Sequence, residues 1–85
     1  MSFEIKLAPK VAKRLQRLDA HLSSRIKARL HRLAEDPFLY LERLAGHDCY
    51  KLRIGEYRAL IDVDKKRQIV FVRHLDRRGR IYKRV

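Results

Sequence analysis

Polar and apolar residues alternate from the start of the chain, where Phe3, Ile5 and Leu7 interleave with Ser2, Glu4 and Lys6. This is the period-two pattern of a strand with one buried face. At Pro9 the period lengthens. A proline suits the first residue of a helix, where its missing N–H is not needed, and Val11, Ala12, Leu15 and Leu18 follow at helical spacing. Asp19 and Ala20 interrupt that stripe, and Leu22, Ile26, Leu30, Leu33 and Ala34 begin a second one that has to end before Pro37. The pattern predicts two consecutive, antiparallel helices. Residues 38–47 read as a connector that turns at Gly46, with Tyr40, Leu41 and Leu44 tucked against the core.

Period two returns at Tyr50. Tyr50, Leu52 and Ile54 point one way, and Cys49, Lys51 and Arg53 the other; Gly55-Glu56 is a Gly-X pair suited to a two-residue type II′ hairpin. Tyr57, Ala59, Ile61 and Val63 continue the apolar face. After a turn over 64–67, residues 68–75 form a fourth strand. Its consecutive Val70, Phe71 and Val72 predict a central position covered on both faces. The order β-α-α-β-β-β predicts an α+β fold: two antiparallel helices packed on one face of a curved, mainly antiparallel four-stranded sheet. The other face is then left for function.

The chain has 85 residues, which predicts one domain spanning 1–85. A chain of this size buries only about 60% of the surface its unfolded form exposes, so it gains from a partner. Charge narrows the choice of partner. With 22 Lys and Arg against 10 Asp and Glu, the formal net charge is +12, which points to an anionic target. Nucleic acid comes first, because neutralising phosphates releases counterions and gives strong binding. A membrane is the weaker candidate: no segment approaches the ~20 apolar residues of a spanning helix. Cys49 is the single cysteine, so no intramolecular disulfide forms. Without a neighbouring His in a nucleophile motif, it reads as a buried structural residue. With no apolar signal-peptide core in residues 1–7, the expected location is the cytoplasm.

If Gly55-Glu56 is the loop, the register follows. Ile54 opposes Tyr57, Arg53 opposes Arg58 and Lys51 opposes Leu60, which places Lys51, Arg53 and Arg58 on the face away from the helices. Two arginines directly across a strand pair cost up to ~1 kcal/mol. A sequence that breaks a local rule in this way is read as prepared for an anion between the two guanidinium groups. The plainer alternative is a solvated edge with splayed side chains, partly neutralised by Asp62 on the same face. A solvated face is also the plainer reading of the helical cations Lys10, Lys13, Arg14, Arg17, Arg25, Lys27, Arg29 and Arg32.

A second basic cluster ends the chain, with Arg73, His74, Arg77, Arg78, Arg80, Lys83 and Arg84 around Ile81 and Tyr82. Basic tails are commonly just solvated, but an aromatic among arginines also suits stacking on an unpaired base. RNA can be cut without a metal or other cofactor when its 2′-hydroxyl attacks the adjacent phosphate in line. That reaction needs a base, cations for the phosphate oxygens and an acid for the leaving 5′-oxygen. Lys51, Tyr82 and His74 are the candidate proton-transfer groups.

At these residues the sequence resembles the RelE toxins of the RelE/ParE superfamily. The segment Asp48-Cys49-Tyr50-Lys51-Leu52-Arg53-Ile54-Gly55-Glu56-Tyr57-Arg58 is similar to that family's hairpin, and Arg77-Arg78-Gly79-Arg80-Ile81-Tyr82-Lys83 to its C-terminal motif. The resemblance implies a ribosome-dependent mRNA endonuclease, paired with a RelB-like acidic antitoxin that is largely disordered until it binds. It implies that Lys51 and Arg53 are the basic hairpin residues and that Arg58 contacts the scissile phosphate. Arg78 is implied as general acid or leaving-group stabiliser, with Arg80 as an alternative for that role. Tyr82 is implied to stack on an mRNA base or help activate the 2′-hydroxyl, and Arg73, Arg77, Arg80 and Lys83 to bind RNA. Several relatives carry a histidine where Arg77 stands, so no imidazole base is evident. Two alternatives remain open: a ParE-like inhibitor of DNA gyrase, and an RNA-binding module without chemistry.

Overall fold

A computed structural model describes residues 2–77. Strand β1 (Glu4–Leu7) leads into helices α1 (Pro9–Arg17) and α2 (Ala20–Arg32). A single 3₁₀ turn, Pro37–Leu39, follows, then β2 (Glu42–Arg43), β3 (Tyr50–Ile54), β4 (Tyr57–Asp64) and β5 (Ile69–Arg77). Pro9 opens α1 as its spacing predicts, and Arg14 and Arg17 in the last turn suit the negative end of the helix dipole. The break between the apolar stripes is a cap: the Asp19 carboxylate accepts a hydrogen bond from the His21 N–H at 3.4 Å, satisfying a donor that the first turn of α2 leaves open.

The strands form one sheet in the order β1-β5-β4-β3-β2, with β1 parallel to β5 and every other pair antiparallel. The α+β class and the helix pair stand as expected, but the sheet has five strands where four are predicted. The additional one is β2, within the connector. Gly46, at φ 80°, reverses the chain there, so that Glu42 and Arg43 pair with Lys51 and Tyr50. β5 also runs two residues beyond its predicted end.

Val11, Leu15, Ile26, Leu30 and Leu33 of the helical segment pack on Leu52, Ile54, Tyr57, Ala59, Ile61, Val70, Val72 and Leu75 of the sheet. Each fully buried Val, Leu or Ile contributes roughly 1.5–3 kcal/mol, which makes this layer the main source of stability. β5 is central, as predicted, between β1 and β4. It is not covered on both faces along its length, because Phe71 remains 37% exposed while Val70 and Val72 are fully buried.

The face away from the helices is not left bare either. A register shift between Leu60 and Ile61 places a β-bulge there, and Leu60 is fully buried in a second cluster with Leu44 and Cys49. The connector therefore covers part of that face. Leu41 packs against the main core and Leu44 against Leu60, but Tyr40 is 41% exposed and does not tuck in. Cys49 is a buried free thiol. No helix among the described residues is long and apolar enough to cross a membrane.

Candidate functional site

The β3–β4 hairpin has the register its turn demands: Ile54 opposes Tyr57, Arg53 opposes Arg58 and Lys51 opposes Leu60. Gly55 has φ 59° and Glu56 does not share that left-handed conformation, the combination of a type II′ turn. The two facing arginines are treated differently. Arg53 is exposed, whereas Arg58 is only 7% exposed and folds back onto the turn. Its Nη1 donates to the Gly55 carbonyl at 2.8 Å and to the Tyr57 carbonyl at 2.9 Å.

On the other flank of β4, the register sets Asp76 of β5 across from Arg58. The solvated edge with both side chains splayed does not describe this pair, because Arg58 is buried and folded onto the turn. One is anchored by backbone acceptors beside a buried carboxylate, and the other is exposed. Asp62, expected to neutralise this pair, reaches Arg73 instead at 3.4 Å.

Two clefts open beside the hairpin. The first, ≈ 540 Å³, is lined by Arg29, Tyr40, Glu42, Lys51, Arg53, Gly55 and Arg58; the second, ≈ 550 Å³, by Arg53, Gly55, Glu56, Arg58 and Arg77. Arg53 and Arg58 are common to both, so the hairpin tip is a ridge with cations on either side. Lys51 does not stand among cations alone: its Nζ lies 3.7 Å from Glu42 Oε2, across the β2–β3 pair. An exposed pair of this kind is worth about 0–1 kcal/mol and yields readily to a stronger anion.

Arg77 lines the second cleft with an exposed side chain. Its guanidinium is held above the usual arginine range by a hydrogen bond to the Tyr57 phenolic oxygen, then by charge attraction to the same group. Behind it, Asp76 accepts from the Arg77 N–H at 2.8 Å and from Arg14 Nη2 at 3.2 Å. The Arg14 guanidinium also lies over the Tyr57 ring, 5.9 Å from its centroid.

The structure brings Lys51, Arg53, Arg58 and Arg77 together at the hairpin. Arg73 stands apart, paired with Asp62. His74 lines a different cleft, between α1 and β5, with Lys10, Lys13, Arg14 and Arg17. Arg78, Arg80, Tyr82 and Lys83 lie outside the described residues.

Sequence reasoning missed four participants. Arg14 and Arg29 read as solvated helical cations, yet Arg14 binds Asp76, and Arg29 Nη2 donates to the Arg53 carbonyl at 3.1 Å. Glu42 and Tyr40 were concealed in an apparent loop. No spacing rule carries these contacts, because each depends on how a helix or connector lies over the hairpin. Among the described residues no group of His, Cys, Asp and Glu is placed to hold a metal ion. Chemically, the site offers convergent guanidinium donors and an ammonium group suited to an anionic phosphate.

The model for the family described as ParE toxin of type II toxin-antitoxin system, parDE, matches residues 5–82. Among solved structures, the chain is similar to RelE in the archaeal RelE–RelB complex from Pyrococcus horikoshii OT3, with 26% identity and a TM-score of 0.78 over 94% of this chain and 99% of that one. A mutant form of E. coli RelE in the free state gives 26% identity and a TM-score of 0.76, covering 98% and 93%. The intact E. coli RelBE toxin-antitoxin complex gives 25% identity and a TM-score of 0.74, covering 89% and 96%. Comparison with curated protein sequences gives no match.

Proposed function

Since the chain belongs to the ParE toxin family of type II toxin–antitoxin systems and has the fold of RelE toxins, we propose that it is a ribosome-dependent mRNA endonuclease that inhibits translation. The observation that carries this reading is the hairpin tip, where Arg58 is fixed by the Gly55 and Tyr57 carbonyls while Arg53 projects directly opposite it. A cation anchored to the backbone beside an exposed one suits a phosphate whose charge grows as the reaction proceeds.

In the proposed reaction the RNA 2′-oxygen attacks the adjacent phosphorus, the O2′–P bond forms and the P–O5′ bond breaks. The 2′-hydroxyl proton leaves to a base and the 5′-oxygen receives a proton, giving a 2′,3′-cyclic phosphate and a 5′-hydroxyl. Arg53 and Arg58 balance the charge on the equatorial oxygens, and Lys51 exchanges Glu42 for the substrate. Arg78 serves the leaving group, and Tyr82 stacks on a base or assists the 2′-hydroxyl. Arg73, Arg77, Arg80 and Lys83 hold the strand. His74 is left out of the catalytic set because it lines the α1–β5 cleft. The ribosome orients the mRNA, which fits a protein acting in the cytoplasm.

A RelB-like acidic antitoxin is the proposed partner. RelE from P. horikoshii and from E. coli is found in complexes with RelB, and a +12 chain is suited to an acidic segment that folds on binding.

A reconstituted translation assay tests the reading: codon-dependent mRNA cuts with the wild-type chain, lost in Arg58→Ala, support it, and intact mRNA overturns it. The matching family model is that of ParE toxins, which supports a second reading as a gyrase inhibitor. Inhibition of gyrase supercoiling with mRNA left intact would establish that alternative.

A further inference from the structure

Two features of the first hairpin cleft are not used by the proposed chemistry. Tyr40, 41% exposed, lies at its rim, and Arg29 enters it from α2. Tyr40 belongs to neither core cluster, and it lines both this cleft, with Arg29, Lys51, Arg53 and Arg58, and a neighbouring one, with Lys27, His31, Arg32 and Glu35. Arg29 is half-buried and fixed, since one of its nitrogens donates to the Arg53 carbonyl at 3.1 Å. The guanidinium carries five donors, so that single bond leaves capacity for an anion.

We propose that this α2–hairpin cleft is a nucleotide-binding subsite for single-stranded RNA. Tyr40 stacks on the base next to the scissile phosphate, and Arg29 binds the phosphate beyond it. The inference rests on the ribonuclease reading and adds the residues that hold the flanking nucleotide. Stacking is the fitting chemistry because every base has a π-face, and an aromatic beside a cationic groove is the usual means of holding an unpaired strand. Tyr40 is a binding residue and Arg29 a phosphate contact; neither touches the reacting atoms.

The test is cleavage by the full chain on ribosomes programmed with two mRNAs, one normal and one with an abasic nucleotide beside the cleavage site. Tyr40→Ala is expected to raise the half-saturating toxin concentration about tenfold on normal mRNA, with the maximal rate retained. Tyr40→Phe, which keeps the ring, stays near wild type. On the abasic mRNA the wild-type chain is weakened to the level of Tyr40→Ala, and the substitution has no further effect. Arg29→Ala weakens both mRNAs, and its salt slope falls by about 0.7, the loss of one single-strand phosphate contact.

Equal losses from Tyr40→Ala on both mRNAs, or wild-type behaviour of that variant, would overturn the subsite while leaving the ribonuclease reading intact. Absence of cleavage by the wild-type chain would overturn both.

Discussion

The guanidinium of Arg14 on α1 meets the carboxylate of Asp76 on β5 at 3.2 Å, and that carboxylate is almost wholly buried while Arg14 keeps 35% of its side chain exposed. The pair ties the first helix to the strand that runs beside Arg58. Removing one partner from such a pair leaves a charge in a poorly solvated place, at a cost of about 3 kcal/mol where the survivor stays buried. Because Asp76 still accepts from the Arg77 N–H, Arg14→Ala is expected to lower the free energy of urea unfolding by less than that, about 1–2 kcal/mol. Arg14→Ala with Asp76→Ala together should cost less than the sum of the single losses, and strict additivity in that cycle would rule out the coupling.

Gly55 sits at φ 59°, and a Cβ there would meet nothing closer than the Arg25 guanidinium at 3.8 Å. Space is available, so the penalty for a side chain is conformational. Gly55→Ala should destabilise the protein by about 1 kcal/mol, and Gly55→Asn by less, because asparagine tolerates the left-handed region. Equilibrium unfolding midpoints rank the two.

Arg58 donates to two carbonyls through one nitrogen. A lysine keeps the charge but lacks the planar fork and cannot hold the same position while presenting further donors. In the mRNA-cleavage assay, Arg58→Lys is expected to be as inactive as Arg58→Ala. Recovery of activity with lysine would show that charge alone suffices.

Glu42 holds Lys51 at 3.7 Å on an exposed edge. Glu42→Gln should leave the melting temperature within a degree or two, since such pairs contribute about 0–1 kcal/mol. It should also tighten association with RNA a few-fold at low salt, because an anion no longer competes for the ammonium group. Weaker association in a salt titration would contradict this arrangement.

Leu60 is fully buried against Leu44 and Cys49, outside the main core. Leu60→Ala is expected to cost about 2–4 kcal/mol. Because the connector rests on this residue, hydrogen exchange should accelerate first at residues 42–49. Uniform acceleration over the whole chain would count against a separate cluster.

Local rules carried much of this structure. The period change at Pro9 placed α1, the break at Asp19 proved to be an N-cap, and the Gly55-Glu56 turn determined which residue of β3 faces which of β4. Each of these depends on neighbours within a few positions. What escaped depends on distant packing. β2 has two residues and no period to detect, so Glu42 read as loop. Arg14 and Arg29 occupy the polar sides of their helices, where a buried carboxylate or a strand carbonyl leaves no trace in the local pattern. Arg53 facing Arg58 was legible, but its relief was not, because that comes from a side chain turning back on its own hairpin and from Asp76 one strand away.

The parallel pairing of β1 with β5 joins the two ends of the described chain, with Glu4 across from Ile69 and Leu7 across from Val72. During synthesis the first strand therefore waits for the last, and β4 meanwhile lacks the neighbour that sets Asp76 beside Arg58. Such a long closure makes assembly late and nearly all-or-none. For the hairpin this means that Arg58 gains Asp76 as a neighbour only once β5 has docked between β1 and β4. A fragment ending at residue 68 should then give the circular dichroism of an unfolded chain, and a folded spectrum would refute that dependence.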